Sequence, residues 1–209
     1  DSFMDRLDAW RQFLRDRQEG LSRSAIVGLI GELLVLERLL ASDTSLLPNW
    51  EAPIDGLHDF QSRGYALEVK TGLGPSPTIT ISHLDQLDTA GLRRLNLIHV
   101  KLIEAPDGRT LGDIIAAIRT LIPGSVPQFD NALLRRGLLP DDDASRIAPR
   151  VQMRSMDCHA VIDGFPRLLR SGLPVAITDA TYTLDVRALS AFSADTAAAL
   201  EAFIQGDRS

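Results

Sequence analysis

Apolar and polar positions along the chain follow two periods, which predict helices and strands in a mixed order. Helical spacing predicts an amphipathic helix over residues 3–17 and, after a capping Ser22, a buried helix over residues 23–40. An irregular loop follows over residues 41–57. The next elements are strands predicted over residues 58–61, 65–71, 78–81 and 95–103, and helices predicted over residues 82–92 and 111–121.

The second half of the chain continues this alternation without a repeat or a linker. We predict a turn at Asp107-Gly108, a helix over residues 131–139, strands over residues 151–162 and 175–186, and a last helix from Ser193 to residue 204. Because helices and strands occur throughout, the pattern indicates one α/β domain over residues 1–209.

Composition narrows the class of protein. Hydrophobic residues make up 44% and charged residues 24% of the chain, which is typical of a globular protein, and the net charge of −6 means that any contact with nucleic acid must be local. The single cysteine, Cys158, excludes an internal disulfide and a cysteine-built zinc site. The longest apolar run, residues 25–36, is too short to span a bilayer, so we expect a cytoplasmic protein without a membrane partner.

Lysine is rare in this chain. Only two of the 22 basic residues are lysines, Lys70 and Lys101. A chain that otherwise uses arginine has reason to keep lysine where a compact ammonium is needed rather than charge alone. Lys101 lies in an apolar run, where a solvated side chain is sufficient, but Lys70 lies among other charged residues.

The strand predicted over residues 65–71 carries two opposite charges on one face. Glu68 and Lys70 share that face because they are two residues apart, while Tyr65, Leu67 and Val69 form an apolar face. The pair indicates either a functional site or an ordinary solvated strand face.

A hairpin before this strand would bring a second carboxylate to it. If residues 63–64 are the central turn residues, Asp59 lies opposite Glu68, with Cβ atoms about 5 Å apart. Two adjacent carboxylates repel each other, so either one is protonated or a cation such as Mg²⁺ or Mn²⁺ lies between them. A three-residue turn that includes Ser62 would change this pairing.

A third carboxylate lies on the apolar helix. Glu32 shares a helical stripe with Gly28 and Leu36, and a buried glutamate needs a partner. That partner is either one of the many arginines or the acidic site formed by Asp59 and Glu68.

These residues resemble a known pattern. The chain is similar to the PD-(D/E)xK nuclease superfamily, and more closely to a bacterial family known by its PD-(D/E)xK motif. His58 stands where the motif has proline. The similar segments are G-x-x-G-E-L at residues 28–33, H-D-F at 58–60, E-V-K-T at 68–71, I-S-x-L-x-Q-L-D at 81–88 and G-F-P-R at 164–167.

The resemblance implies a fold and an activity. The expected fold is a restriction-endonuclease-like core, a central mixed β-sheet flanked by helices, over about residues 22–105, with a C-terminal α/β extension over about residues 106–209. The expected activity is a Mg²⁺-dependent DNA endonuclease, with Mn²⁺ as a substitute, in a bacterial restriction or anti-phage system with protein partners. Homo-oligomerisation is left open.

The resemblance also implies roles for single residues. Asp59, Glu68 and the backbone carbonyl of Val69 would bind the metal, and Glu32 would bind it directly or through water. Lys70 would orient the attacking water. An accessory role is implied for Gln86, which is otherwise an exposed helix residue.

Arginines offer weaker candidates for contacts with DNA phosphates. Most are expected to be surface charge, and only clustering near the acidic site would favour DNA. These candidates are Arg93, Arg94, Arg167 and Arg170.

Two other functions compete with the nuclease. A non-cleaving DNA-binding or assembly module on the same fold would not need the Asp-Glu-Lys set. An HD-type phosphohydrolase would need further histidines on neighbouring helices, whereas His58-Asp59 lies in a strand-like setting.

Overall fold

The structure is a computed structural model that describes residues 21–50, 57–138 and 148–208. The chain divides into two compact units, which we call the helical unit (Asp1–Asp55 and Glu104–Gln152) and the sheet unit (Gly56–Ile103 and Met153–Ser209). The helix predicted over residues 3–17 lies outside the described residues.

Three helices build the helical unit: α1 (Arg23–Ser42), α2 (Leu111–Leu121) and α3 (Val126–Arg135). The predicted cap of α1 is confirmed, since the Ser22 hydroxyl accepts the Ala25 N–H at 3.2 Å. A short 3-10 helix, Thr44–Asn49, follows α1 within the stretch predicted to be irregular. No helix among the described residues is long and apolar enough to cross a membrane.

The central sheet has five strands: β1 (Phe60–Ser62), β2 (Tyr65–Leu73), β4 (Arg94–Arg109), β5 (Val151–Ala160) and β7 (Ser193–Ala194), adjacent in that order. Two further strands, β3 (Thr78–Ile81) and β6 (Tyr182–Asp185), pair separately. β1 pairs antiparallel with β2, and β2 pairs parallel with β4, so the central sheet is mixed. The predicted α/β class, with a mixed sheet of the restriction-endonuclease-like kind, is confirmed.

The hairpin between β1 and β2 has the predicted two-residue turn. Arg63 and Gly64 have φ values of 40° and 90°, which are typical of the turns that match strand twist. The resulting register pairs Phe60 with Leu67, as the sequence predicts. β1 begins at Phe60 and not at residue 58 as predicted, so Asp59 lies one residue before the strand.

The two faces of the β2–β4 pair bury different partners. On one face, Ala66 packs with Leu95 and Leu97 in a core of the sheet unit that also contains Ile79, Ile81, Leu87, Val161, Phe165 and Leu189. On the other face lies the last helix, α4 (Thr196–Arg208). A Cβ on Gly206 would lie within 2.9 Å of three ring atoms of Tyr65, so this helix approaches the sheet closely.

Three predicted elements are wrong. The helix over residues 82–92 is only a 3-10 turn, Leu84–Leu87, because Ser82 does not cap it. β4 continues through Asp107-Gly108, where the absence of a side chain on Gly108 lets the Val151 backbone approach. Within the strand predicted over residues 175–186, only Tyr182–Asp185 (β6) is observed as a strand.

Candidate active site

Asp59 is held against the strand that carries the other charged residues. Its Oδ2 accepts the Val69 N–H at 2.7 Å, so the carboxylate lies beside the backbone between Glu68 and Lys70. The hairpin register produces this contact, because Asp59 continues the pairing one residue beyond Phe60 and Leu67. The side chain is half-buried.

Glu68 is a buried carboxylate with a lysine beside it. Its side chain is only 2% exposed, and its Oε1 lies 2.8 Å from Lys70 Nζ, whose side chain is 14% exposed. The two residues share a face of β2 as their spacing predicts. A nearby ammonium compensates the cost of burying the carboxylate.

Gln86 connects the lysine to the 3-10 turn Leu84–Leu87. Its Oε1 accepts hydrogen bonds from Lys70 Nζ at 3.1 Å and from the Ser82 N–H at 2.8 Å. The ammonium of Lys70 therefore donates to Gln86 and contacts Glu68, and a lysine has three N–H donors. Within the described residues, these two contacts leave one donor for a substrate or a water.

His58 is a neighbour whose importance sequence reasoning missed. It is 5% exposed, and neither ring nitrogen has a hydrogen-bond partner within the described part of the chain. Burial lowers the pKa of its imidazole, although the charges of Asp59 and Asp88 act in the opposite direction. His58 is therefore a neutral residue packed beside the carboxylates rather than a cation.

His99 is a second buried histidine that the sequence prediction missed. It pairs in register with Lys70 across β2 and β4 and is 2% exposed. Burial lowers the pKa of this imidazole too, with Asp157 opposing the effect. The pairing of β2 with β4 could have identified it, but parallel pairing is not visible in local sequence.

The 3-10 turn Leu84–Leu87, which carries Gln86, makes hydrogen bonds and an ion pair with residues 166–181, a segment that we call the buttress. Arg167 donates to the Leu87 carbonyl at 2.6 Å and to Thr89 Oγ1 at 3.1 Å. Arg170 forms an ion pair with Asp85 at 2.9 Å. These two predicted phosphate-contacting arginines thus both make bonds within the protein.

Asp179 of the buttress holds the start of the same turn. Its Oδ1 accepts the Leu84 N–H at 3.1 Å, and its Oδ2 lies 2.8 Å from Nδ1 of His83. The hydrogen bonds that Asp179 makes with His83 and with the backbone N–H groups of Leu84 and Ala180 lower the pKa of its carboxyl to about 2. The acceptor is therefore ionised at any physiological pH.

Glu32 belongs to the helical unit, where its observed contacts are with an arginine and a tryptophan. It forms an ion pair with Arg136, and its Oε2 accepts the Trp50 Nε1–H at 3.0 Å. The Arg136 guanidinium lies 4.9 Å from the centre of the Trp50 ring. An arginine, one of the two kinds of partner that the sequence predicts for Glu32, is thus present.

The remaining two arginines are exposed at the start of β4. The backbone N–H groups of Arg93 and Arg94 both donate to the Gly64 carbonyl, at 2.6 and 3.1 Å, which ties β4 to the hairpin turn. Both residues line a cavity of the sheet unit, together with Asn96 and Asp163.

The donor set of the site fits a hard divalent cation. The carboxylates of Asp59 and Glu68 and the Val69 carbonyl offer oxygen ligands, and Mg²⁺ is usually held by one or two carboxylates together with waters and substrate oxygens. Within residues 21–50, 57–138 and 148–208, no three His, Cys, Asp or Glu side chains are grouped so as to hold a metal ion. The described residues therefore offer oxygen donors for a cation but no closed, all-protein metal site.

A family model described as "Putative PD-(D/E)XK family member, (DUF4420)" matches residues 1–187 of the chain. Neither the curated proteins nor the solved structures contain a significant match.

Proposed function

Since the chain belongs to DUF4420, a family of the PD-(D/E)XK type, we propose that it is a metal-dependent endonuclease that hydrolyses phosphodiester bonds of DNA. The observation that carries the proposal is the buried Glu68–Lys70 pair, with Asp59 bonded to the backbone of the residue between them. A scaffold protein has no physical need for this combination, since a buried ion pair contributes little to stability compared with apolar packing.

In this proposal, Asp59, Glu68 and the Val69 carbonyl hold Mg²⁺, with Mn²⁺ as a substitute. When bound, such an ion supplies a Lewis acid that neutralises charge on the phosphate and makes water more acidic. Lys70 Nζ orients the attacking water with the N–H donor that Glu68 and Gln86 leave. Gln86 Oε1 keeps the ammonium in place.

The proposal extends to the setting of the enzyme. A net charge of −6 gives the protein no overall attraction for DNA. We therefore propose that protein partners of a restriction or anti-phage complex supply part of the DNA affinity. The role of Glu32 as a further metal ligand is a separate proposal, since its observed partners are Arg136 and Trp50.

A cleavage assay on purified protein tests the activity. Supercoiled and linear DNA are incubated with EDTA, Mg²⁺ or Mn²⁺, and wild type is compared with Asp59→Asn. We expect cleavage only with metal and its loss in Asp59→Asn. The matched control is Asp107→Asn, which removes an exposed carboxylate from β4 and should cleave normally.

Two outcomes would count against the proposal. Cleavage that persists in EDTA would exclude the metal role. Binding of DNA by the protein with no cleavage in either Mg²⁺ or Mn²⁺ would favour the alternative, a non-cleaving DNA-binding module.

Metal binding should also stabilise the folded chain. Because the cation would bind the folded site that contains Asp59 and Glu68, Mg²⁺ well above its Kd should raise the free energy of unfolding by roughly 1–3 kcal/mol. Thermal melts with and without Mg²⁺ measure this, and Asp59→Asn should remove the shift. An equal shift in wild type and Asp59→Asn would place the metal elsewhere.

The same melts test Glu32. If Glu32 is a metal ligand, Glu32→Gln reduces the Mg²⁺-dependent shift. If its part is the contact with Arg136 and Trp50, Glu32→Gln lowers the melting temperature equally with and without Mg²⁺.

A further inference from the structure

One face of the β2–β4 pair places a buried histidine next to Lys70. Lys70 and His99 pair in register, so their side chains project from the same face of two parallel strands that lie about 4.8 Å apart. On the same face of β2, Glu68 lies two residues before Lys70 and Gly72 lies two residues after it. Lys70 therefore has a carboxylate on one side and a residue without a side chain on the other.

The imidazole of His99 occupies the space above Gly72. A Cβ at Gly72 would lie 3.2 Å from His99 Nε2, which is closer than side chains normally pack. The ring is thus directed from β4 toward β2, on the side of Lys70 that faces away from Glu68. A glycine at residue 72 leaves room for the ring in this position.

His99 Nε2 is a buried nitrogen that has no hydrogen-bond partner among the residues that the structure describes. Because burial lowers the pKa of this imidazole, the ring is neutral at physiological pH and one of its nitrogens is an acceptor. A buried polar atom without a partner costs stability, and a leucine of similar size would avoid that cost. The nitrogen is therefore explained best by a partner that it gains in another state of the site.

Lys70 is a donor that loses a partner when the site binds a cation, a step that rests on the metal role proposed above for Glu68. Its Nζ lies 2.8 Å from Glu68 Oε1, so the ammonium competes with a cation for the same carboxylate. Two positive charges at one carboxylate also repel each other. An acceptor on the other side of Lys70 would relieve this competition.

We propose that Lys70 changes partners when the cation binds, and that the N–H which contacts Glu68 is then donated to His99 Nε2. The lysine side chain is a flexible four-carbon stem with three donors, so rotation about its own bonds moves Nζ from the Glu68 side to the Gly72 side. No proton is transferred, since the ammonium keeps its charge and the imidazole carries its proton on Nδ1. His99 is a positioning residue in this arrangement, because it contacts Lys70 and not the substrate.

Titration calorimetry of the full chain with Mg²⁺ tests the proposal. His99→Leu fills the space without an acceptor, whereas His99→Gln offers an amide oxygen near the position of Nε2. We expect His99→Leu to bind Mg²⁺ about tenfold more weakly than wild type, which is the lower end of the contribution of a hydrogen bond to a charged group. His99→Gln should restore most of the affinity.

The matched control is His159→Leu. It removes another buried imidazole that has an unpartnered nitrogen, from β5, where His159 pairs in register with Ser193 and not with Lys70. We expect this variant to bind Mg²⁺ as wild type does, and thermal melts show that each variant is folded.

Lys70→Ala separates the change of partners from a general effect on the fold. Without the ammonium there is no competition for Glu68, so His99→Leu should not weaken Mg²⁺ binding in a Lys70→Ala background. Nitrogen NMR gives a second measurement on the intact histidine. The His99 Nε2 signal, identified by its absence in His99→Gln, should shift on addition of Mg²⁺ in wild type and not in Lys70→Ala.

Three results would overturn the change of partners alone: equal Mg²⁺ affinity in wild type and His99→Leu, a loss in His99→Leu that persists in the Lys70→Ala background, or a His99 signal that does not respond to bound Mg²⁺. Failure of the metal site is seen separately. Absence of Mg²⁺ binding in wild type, or equal binding in wild type and Asp59→Asn, would overturn the proposed metal site and the change of partners together.

Discussion

Lys70 combines a rare residue type with a constrained geometry. Its ammonium lies between a buried carboxylate and the amide oxygen of Gln86, which are 2.8 and 3.1 Å away. A guanidinium is larger, planar and permanently charged, so it cannot occupy this space with the same hydrogen bonds. The preference of the chain for arginine makes the exception at this position informative.

We expect Lys70→Ala and Lys70→Arg to lower the rate of DNA cleavage by about 10²–10⁴-fold, the usual effect of losing a positioned catalytic group. Metal affinity should change little. Cleavage rates, metal titrations and thermal melts of wild type, Lys70→Ala and Lys70→Arg measure the effects on catalysis, metal affinity and stability.

The other lysine provides the control. Lys101→Arg should cleave as wild type does, since Lys101 lies beyond the Glu68–Gln86 contacts on β4. Full activity in Lys70→Arg would reduce Lys70 to a structural partner of Glu68.

At the scale of elements, the buttress determines where Gln86 lies. The 3-10 turn Leu84–Leu87 is too short to be stable alone, and Arg167, Arg170 and Asp179 supply its outer contacts. The G-F-P-R segment noted in the sequence therefore stabilises the turn through Arg167.

We expect Arg167→Ala to lower the free energy of unfolding by about 1–3 kcal/mol, because the Leu87 carbonyl loses its partner. Cleavage should also fall, since the turn then holds Gln86 less firmly. Urea unfolding and cleavage rates measure the two effects, with Arg187→Ala as the control for loss of an exposed arginine.

Salt dependence distinguishes this role from a contact with DNA phosphate. The logarithm of DNA affinity falls linearly with the logarithm of salt concentration, and each lost phosphate contact makes this slope shallower by about 0.9. We expect no such change for Arg167→Ala. A change of that size would restore the phosphate contact predicted from the sequence.

The elements that sequence reasoning predicted well are those determined by neighbouring residues. The β1–β2 hairpin follows from strand alternation and from a glycine at a positive φ, and α1 follows from Ser22 and its apolar stripe. From the hairpin alone, Asp59, Glu68 and Lys70 could be placed together.

The elements that it missed depend on distant partners. Asp107-Gly108 has the composition of a turn, but Gly108 lies in β4 because the Val151 backbone passes close to it. The contact between Gln86 and Lys70 was also beyond local sequence, since the turn takes its position from the buttress. Long-range packing overrides local propensity in both cases.

At the scale of the whole molecule, buried histidines couple the fold to pH. Burial lowers the pKa of His58, His99 and His159 below the ordinary value of about 6.5 for histidine. Below pH 6.5 the unfolded chain therefore binds more protons than the folded chain does, until the lower folded pKa values are reached.

We expect the free energy of unfolding to be greatest above pH 6.5 and to fall as the pH drops from about 7 to 5. Each histidine contributes a slope of up to about 1.4 kcal/mol per pH unit in this window. Urea unfolding at a series of pH values measures the slope, and His58→Asn should reduce it. A free energy of unfolding that is constant over this window would contradict the burial of these rings.

Gly206 has a consequence for the order in which the sheet unit becomes stable. A glycine inside a helix costs about 1 kcal/mol relative to alanine, so the last turn of α4 has little stability of its own. The turn is stabilised by tertiary packing, because Gly206 lies against the ring of Tyr65, the residue at which β2 begins. Amide exchange in that final turn should therefore report from a distance whether the hairpin beside Asp59 and Glu68 is formed.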